Sequence, residues 1–281
     1  MSEVDTMKHI QRYMKNINLI IGLLVIVGFL IIMIISFFYT PHDVNSMNIP
    51  HKLRSPSSDY LFGTDEFGRD IFSRIMKGTQ TAFAVGLLTV FIGTIFGILI
   101  GGIAGYVGGW IDEIFMRIMD ALMAFPGIIL ALMLVAVFGP GIVNTAIALG
   151  IIAIPAIARI TRSGFVQHRD TEYVLAAKLI GVKPYSIMFR HILPNISSQI
   201  IVAATVTFAT AMLAEAALSY LGLGVQPPNP SWGRMLKDSQ AYLVGAPWYT
   251  YGPGGAITVL VLGLYMLSNA LRDFMDPRSK A

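Results

Sequence analysis

Long stretches without a single charged residue dominate this chain, and they restrict its fold more than any motif does. Residues 19–39 carry no charge, and neither do residues 78–111 or 121–158. At 1.5 Å of helical rise per residue, the first stretch alone reaches about 30 Å, the thickness of a bilayer's hydrocarbon core. Composition agrees. Of 281 residues, 55% are hydrophobic and 13% charged, with a mean hydropathy of +0.67, whereas soluble domains carry about 25% charged residues. The net charge of +4 and pI near 9.3 do not mark a nucleic-acid binder. The lysines and arginines sit at the ends of apolar runs rather than on one patch, which is the pattern of membrane orientation. The absence of cysteine excludes disulfides, thiolate metal sites and a cysteine nucleophile.

Lys8, Arg12 and Lys15 precede the first run. A cleaved signal peptide has a shorter apolar region and a small-residue cleavage site. Residues 1–18 therefore read as a cytoplasmic tail and residues 19–39 as a retained first span. Five further spans are expected near residues 81–104, 115–138, 142–160, 197–217 and 255–271, with Gly139-Pro140-Gly141 dividing the third from the fourth. The resulting expectation is an all-α integral membrane protein of six transmembrane helices. It comprises an extracytoplasmic segment at 40–80, a five-helix core at 81–271, and a cytoplasmic tail at 272–281.

Six spans that start inside place residues 161–196 in the cytoplasm, together with Arg159, Arg162, Arg169, Lys178, Lys183 and Arg190, and put Arg272, Arg278 and Lys280 inside as well. That satisfies the positive-inside tendency. Lys52, Arg54, Arg69, Arg74 and Lys77 fall outside, against it, as do Arg234 and Lys237. No internal repeat is evident, so a transporter built on this chain needs its second half from another polypeptide.

Residues 172–194 form the most distinctive polar segment. Residues 172–180 favour helix, Ala176 and Ala177 are small, and Gly181 is placed to end the helix in a left-handed conformation. Pro184 suits the first turn of a second helix, and Pro194 falls where the next span begins. The expectation is a helix-turn-helix along the inner membrane surface, open to close approach by a partner. An ordinary amphipathic connector accounts for the spacing equally well.

The segment resembles the cytoplasmic signature loop of ABC-importer permeases: Glu-Ala-Ala, three residues, Gly, nine residues, Ile, one residue, Leu-Pro. Ala176, Ala177, Gly181, Leu193 and Pro194 match. Leu175 stands where the glutamate belongs and His191 where the isoleucine belongs, while Glu172, three residues earlier on nearly the same face, offers a carboxylate. Residues 63–74, with Gly63, Thr64, Asp65, Gly68, Arg69 and Asp70, resemble a segment of the oligopeptide, dipeptide and nickel permeases. Residues 218–233, with Gly222, Gly224, Pro227, Pro228, Trp232 and Gly233, resemble that family's outer loop, and Leu271-Arg272-Asp273 with Asp276-Pro277-Arg278 its ending.

The resemblance implies a type I ABC-importer permease in a bacterial or archaeal cell membrane, with both termini cytoplasmic. It implies a homologous second permease, two ATPases gripping the signature loop and an extracytoplasmic solute-binding protein. Solutes would be peptides, nickel or metal chelates.

Elementary chemistry gives the same residues structural roles. Thr64 can cap a helix whose first turn carries Asp65 and Glu66, and Asp70 can pair with Arg74 one turn on. Trp232, Trp248, Tyr249 and Tyr251 suit an interfacial aromatic belt, and Gly101, Gly105 and Gly109 have the spacing of close helix packing. Glu113, Arg117 and Asp120 can pair among themselves, and Glu215 can face a pore or a partner helix. No carboxylate sits at mid-membrane, which weighs against the alternative of an ion-coupled carrier or channel. No phosphate-binding Gly-x-x-x-x-Gly-Lys-Ser/Thr, no His-Glu-x-x-His and no Gly-x-Ser-x-Gly occurs, so no catalytic residue, metal or cofactor is expected, and ATP hydrolysis must come from partners.

Overall fold

The computed structural model describes residues 17–275; the basic residues Lys8, Arg12 and Lys15 and the last six residues, including Arg278 and Lys280, lie outside the described residues. Nine helices organise them. They are α1 (Ile17–Phe38), α2 (Ile71–Val107), α3 (Gly109–Met123), α4 (Gly127–Phe138) and α5 (Ile142–His168), then α6 (Glu172–Leu179), α7 (Pro184–Tyr220), α8 (Trp232–Ser239) and α9 (Trp248–Met275). Five of them, α1, α2, α5, α7 and α9, are long and apolar enough to cross a membrane, and α3 with α4 makes a sixth if the bent pair is one span.

That bend is a correction. The third span is not one helix over 115–138: α3 and α4 meet at 92°, because Pro126 has no N–H to continue the ladder and disfavours helix at Phe125 before it. The second span also starts ten residues earlier than 81, at Ile71. Its cap is Asp70, whose carboxylate accepts from the Ser73 N–H at 2.9 Å; Thr64 caps no helix. At 37 residues α2 is about 55 Å long, well beyond a hydrocarbon core of about 30 Å. Its first turns are largely buried; Arg74 there meets the Val44 carbonyl and Asp65, and Lys77 lies over the ring of Phe37 in α1.

The broadest helix contact is α2 against α5. Glycines set its closeness. A Cβ at Gly105 would lie 2.7 Å from both the Arg162 carbonyl and the Phe165 Cβ, and Gly101 faces the Ala158 carbonyl, whereas Gly109 has nothing nearby and plays no part in the seam. α1 lies on α9 where Gly22 would meet the Leu267 N–H at 2.7 Å, and the Gln80 amide donates to Ser36 Oγ at 2.9 Å.

Trp232 and Tyr249, expected at the interface, are core residues packed with Ile71, Phe208 and Leu260. The Trp232 indole donates to the Ile75 carbonyl at 3.0 Å. A second cluster joins α4 to α5 through Ala131, Val135, Ala146 and Leu149, and a third joins α6 to α5 and α7.

Candidate functional site

Both regions singled out in the sequence are tied to α2, at opposite ends. Residues 63–70 precede Ile71, and the 218–233 loop joins them there through Trp232, which donates to the Ile75 carbonyl. At the Val107 end, Arg169 donates to the Gly105 carbonyl at 3.2 Å, which brings residues 169–181 to that end.

The signature segment is built around α6. Gly181 has φ of +80° with open space around it, so the requirement for glycine there is the left-handed backbone alone. Its neighbour Val182 returns an N–H to the Ala177 carbonyl at 3.0 Å, and Gly181 to Lys178 at 3.1 Å, closing the helix end. Val174 and Ala177 are buried against Phe165, Ile187, Ile192 and Ile196. Ala177 therefore faces its own chain, and the outward face belongs to Glu172, Leu175, Ala176 and Leu179. Leu179 and Ile180 are 87% and 80% exposed, an unusual place for two large aliphatics.

The second element is not a separate short helix. Pro184 opens α7, which runs through a π-helical turn at Ile187–Ile192 and on past Pro194 without a break into the span. His191 and Leu193 are half-buried and Pro194 is exposed. The Asn195 amide bonds the His191 carbonyl at 2.6 Å. The Gly181–Lys183 turn alone separates α6 from the continuous helix α7.

At the other end, Asp65 is fully buried. Its carboxylate accepts from the Phe67 and Arg69 N–H groups, each at 2.9 Å, and from Arg69 Nε at 2.6 Å, with Arg74 Nε at 3.7 Å. Arg74 thus turns to Asp65 and to the Val44 carbonyl at 2.9 Å; the expected Asp70–Arg74 pair does not form. Asp70 instead holds Ser73, and its carboxylate lies 3.4 Å from His42. Thr64 Oγ1 donates to the His51 carbonyl and accepts from the Arg54 N–H. Gly63 and Gly68 turn the chain on either side of Asp65.

The 218–233 loop is fastened by Glu215. Its buried carboxylate accepts from Ser219 Oγ at 2.7 Å and Ser231 Oγ at 2.9 Å, so it faces its own chain rather than a pore. Gly224 is closed over Ser219 and Gly233 over the Ala216 carbonyl; Gly222 has a positive φ, and the Pro227–Pro228 bond is cis. These motif residues build a surface; they do not converge on a ligand.

Sequence reasoning did not identify the face between α5 and α7. A cavity of about 710 Å³ is lined there by Gln167, His168, Asn195, Ser198, Gln199 and Arg272, among others. A second, of about 290 Å³, is lined by Thr89, Ala131, Thr210 and others, and the two share Ala156 and Thr207. The signal was available: Asn195, Gln199, Thr207 and Thr210 recur at helical spacing along one face of an otherwise apolar span.

Residues 97–281 match the family described as "Binding-protein-dependent transport system inner membrane component". The chain is 44% identical over 267 residues to a dipeptide transport system permease protein, DppC, of Alkalihalophilus pseudofirmus, covering 95% of this chain and 88% of that one. It is 40% identical over 245 residues to the glutathione transport system permease protein GsiD of Pectobacterium atrosepticum, covering 87% and 81%. It is also 40% identical over 271 residues to GsiD of an Escherichia coli strain, covering 96% and 89%. Among solved structures, an inward-facing MetNI methionine ABC transporter superposes with a TM-score of 0.58 at 19% identity, over 72% of this chain and 94% of that one.

Proposed function

The chain belongs to the binding-protein-dependent transport system inner membrane component family, and from that premise we propose how it works as the permease subunit of an ATP-driven peptide importer. Its solutes are dipeptides or short peptides of similar size, glutathione included, in keeping with the relatives on both sides of it. A second homologous permease completes the pathway, and the adjoining cavities between α5 and α7 are this chain's share of it. The polar lining of Asn195, Gln199, Thr207 and Thr210 suits the hydrogen-bonding groups of a peptide backbone.

The exposed Leu179–Ile180 tip, joined to α7 by the short Gly181–Lys183 turn, is the observation that carries the mechanism. Large aliphatics exposed beside Lys178 and Lys183 fit a groove on a partner. That partner is an ATPase pair on the cytoplasmic side. Closure of the pair on ATP pushes α6, and α7 tilts with it, exchanging outward for inward access. The opposite end, residues 40–70 with the 222–233 loop, faces the solute-binding protein. The positive-inside conflict eases there, since Arg69 and Arg74 share the buried Asp65 carboxylate and Lys52 and Lys77 lie over the rings of Tyr242 and Phe37.

Reconstitution tests the proposal. With ATPases, second permease and binding protein present, proteoliposomes accumulate labelled dipeptide only when ATP is supplied, and Gly181→Pro abolishes accumulation while leaving membrane insertion intact. Uptake by this chain alone under an ion gradient would establish the carrier alternative instead.

A further inference from the structure

α3 is a lever between two joints. Its first joint is Gly108, with φ of +72°, where α2 ends and α3 begins; its second is the 92° elbow into α4. Met119 is its only buried residue among those described, so apolar packing does little to place it.

Charge does that work instead. Arg162 grips Asp112 through two parallel bonds, Nε to Oδ1 at 2.5 Å and Nη2 to Oδ2 at 2.6 Å, the bidentate geometry that gives such pairs directional strength. One turn earlier on α5, Arg159 Nη2 reaches Asp120 Oδ1 at 2.5 Å. Asp112 and Arg162 are only 17% and 38% exposed, which reduces solvent screening of that pair. The remaining pair on the lever, Glu113 with Arg117, is internal to α3 and exposed, so it fastens nothing.

Both arginines lie on the last turns of α5, directly before the signature segment. Arg169 continues the chain of contacts, to the Gly105 carbonyl and to Asp170, and Lys178 of α6 returns to the Arg169 carbonyl at 3.0 Å. Beyond the elbow, α4 packs Ala131 and Val135 on α5 and forms a wall of the smaller cavity.

We infer that Asp112–Arg162 and Asp120–Arg159 are positioning pairs that carry movement of the α6 end of α5 through the α3 lever to the α4 wall of the pathway. The inference rests on the coupling role proposed for α6 above. Without the pairs, α6 still binds and answers the ATPases, but α4 follows only through its direct packing on α5, and more nucleotide is hydrolysed for each solute that crosses.

The experiment is uptake per ATP hydrolysed, measured in proteoliposomes holding the complete transporter and its binding protein. Asp112→Asn and Arg162→Gln are each expected to lower that ratio about fivefold, equivalent to about 1 kcal/mol of lost coupling, with hydrolysis retained. The exchange Asp112→Arg with Arg162→Asp restores the ratio. Because charge exchange can impair insertion, a second measurement uses the absence of native cysteine from this chain. Asp112→Cys with Arg162→Cys is bridged by a short bis-methanethiosulfonate, which restores the ratio until reductant removes it. An unchanged ratio in the single variants, or a fall that neither exchange nor bridge relieves, overturns the inference. Gly181→Pro in the same assay separates the two claims: if it too leaves uptake per ATP unaltered, the coupling role of α6 has failed, and if it abolishes uptake, only the role of the Asp112–Arg162 and Asp120–Arg159 pairs has.

Discussion

Replacing Asp65 by Asn removes one charge at constant shape, in a place where the structure makes that charge costly to lose. The carboxylate is fully buried and serves Arg69 at 2.6 Å, Arg74 at 3.7 Å and two backbone N–H groups at 2.9 Å. An asparagine keeps the oxygen for the Phe67 and Arg69 amides but turns an NH₂ group toward Arg69 Nε, where donor meets donor. Arg74, 5% exposed, is left with the Val44 carbonyl. Breaking one side of a buried pair costs about 3–5 kcal/mol, because the remaining charge stays out of water. The lower bound corresponds to about a hundredfold in the opening equilibrium of residues 40–70, at 1.36 kcal/mol per tenfold. Hydrogen exchange of the purified permease, read at peptides covering Phe67 and Arg69, measures this directly. Exchange should accelerate by that factor while peptides from α5 and α7 keep their rates. Equal rates in Asp65→Asn and the parent would refute the assignment of Asp65 as the electrostatic anchor of residues 40–70.

Five further substitutions, at four positions, have definite outcomes. Gly181→Val should reduce uptake strongly and Gly181→Asn only slightly, since a left-handed backbone costs most residues about 1–2 kcal/mol and asparagine far less; paired transport assays distinguish them. Trp232→Phe keeps the ring but removes the indole donor to the Ile75 carbonyl, which retains the Thr79 hydroxyl at 3.1 Å, lowering stability in detergent by about 0.5–1.5 kcal/mol, the net worth of one hydrogen bond. Gly105→Leu should fail to give folded protein by size-exclusion chromatography, because even a Cβ there is within 2.7 Å of α5 backbone. Gly28→Ala, with nothing within 4 Å, should behave as the parent.

Sequence reading recovered what local chemistry decides. Uncharged length locates α1, α5, α7 and α9, and Gly181 marks the end of α6 because only a left-handed residue closes that helix. What it missed was decided at a distance. Arg74 and Lys77 pushed the expected start of the second span to residue 81; they lie within α2 because Asp65, several residues upstream, neutralises Arg74 in the fold. Asp112 and Asp120 find arginines 50 and 39 residues away, a pairing that spacing along α3 cannot show. Trp232 and Tyr249 illustrate a second limit: aromatic composition does not separate an interface from a core. The elbow was legible in principle. Pro126-Gly127 is a strong breaker pair, but the unbroken apolarity of residues 121–138 concealed it. In the signature segment the motif located the turn correctly and left the facing of Ala176 and Ala177 undecided, which only the packing of Val174 and Ala177 on Phe165 resolves.

The mechanism proposed above requires that α6 is where a nucleotide-driven partner presses. Single cysteines at Leu179 and Ala177, 87% exposed and buried respectively in this cysteine-free chain, provide the direct measurement, with the fully exposed Val244, between α8 and α9, as the control. In the assembled transporter, a short heterobifunctional reagent should join Leu179→Cys to the ATPase subunit and leave Ala177→Cys and Val244→Cys unlinked. Linkage to the ATPase from Val244→Cys, or none from Leu179→Cys, would contradict it.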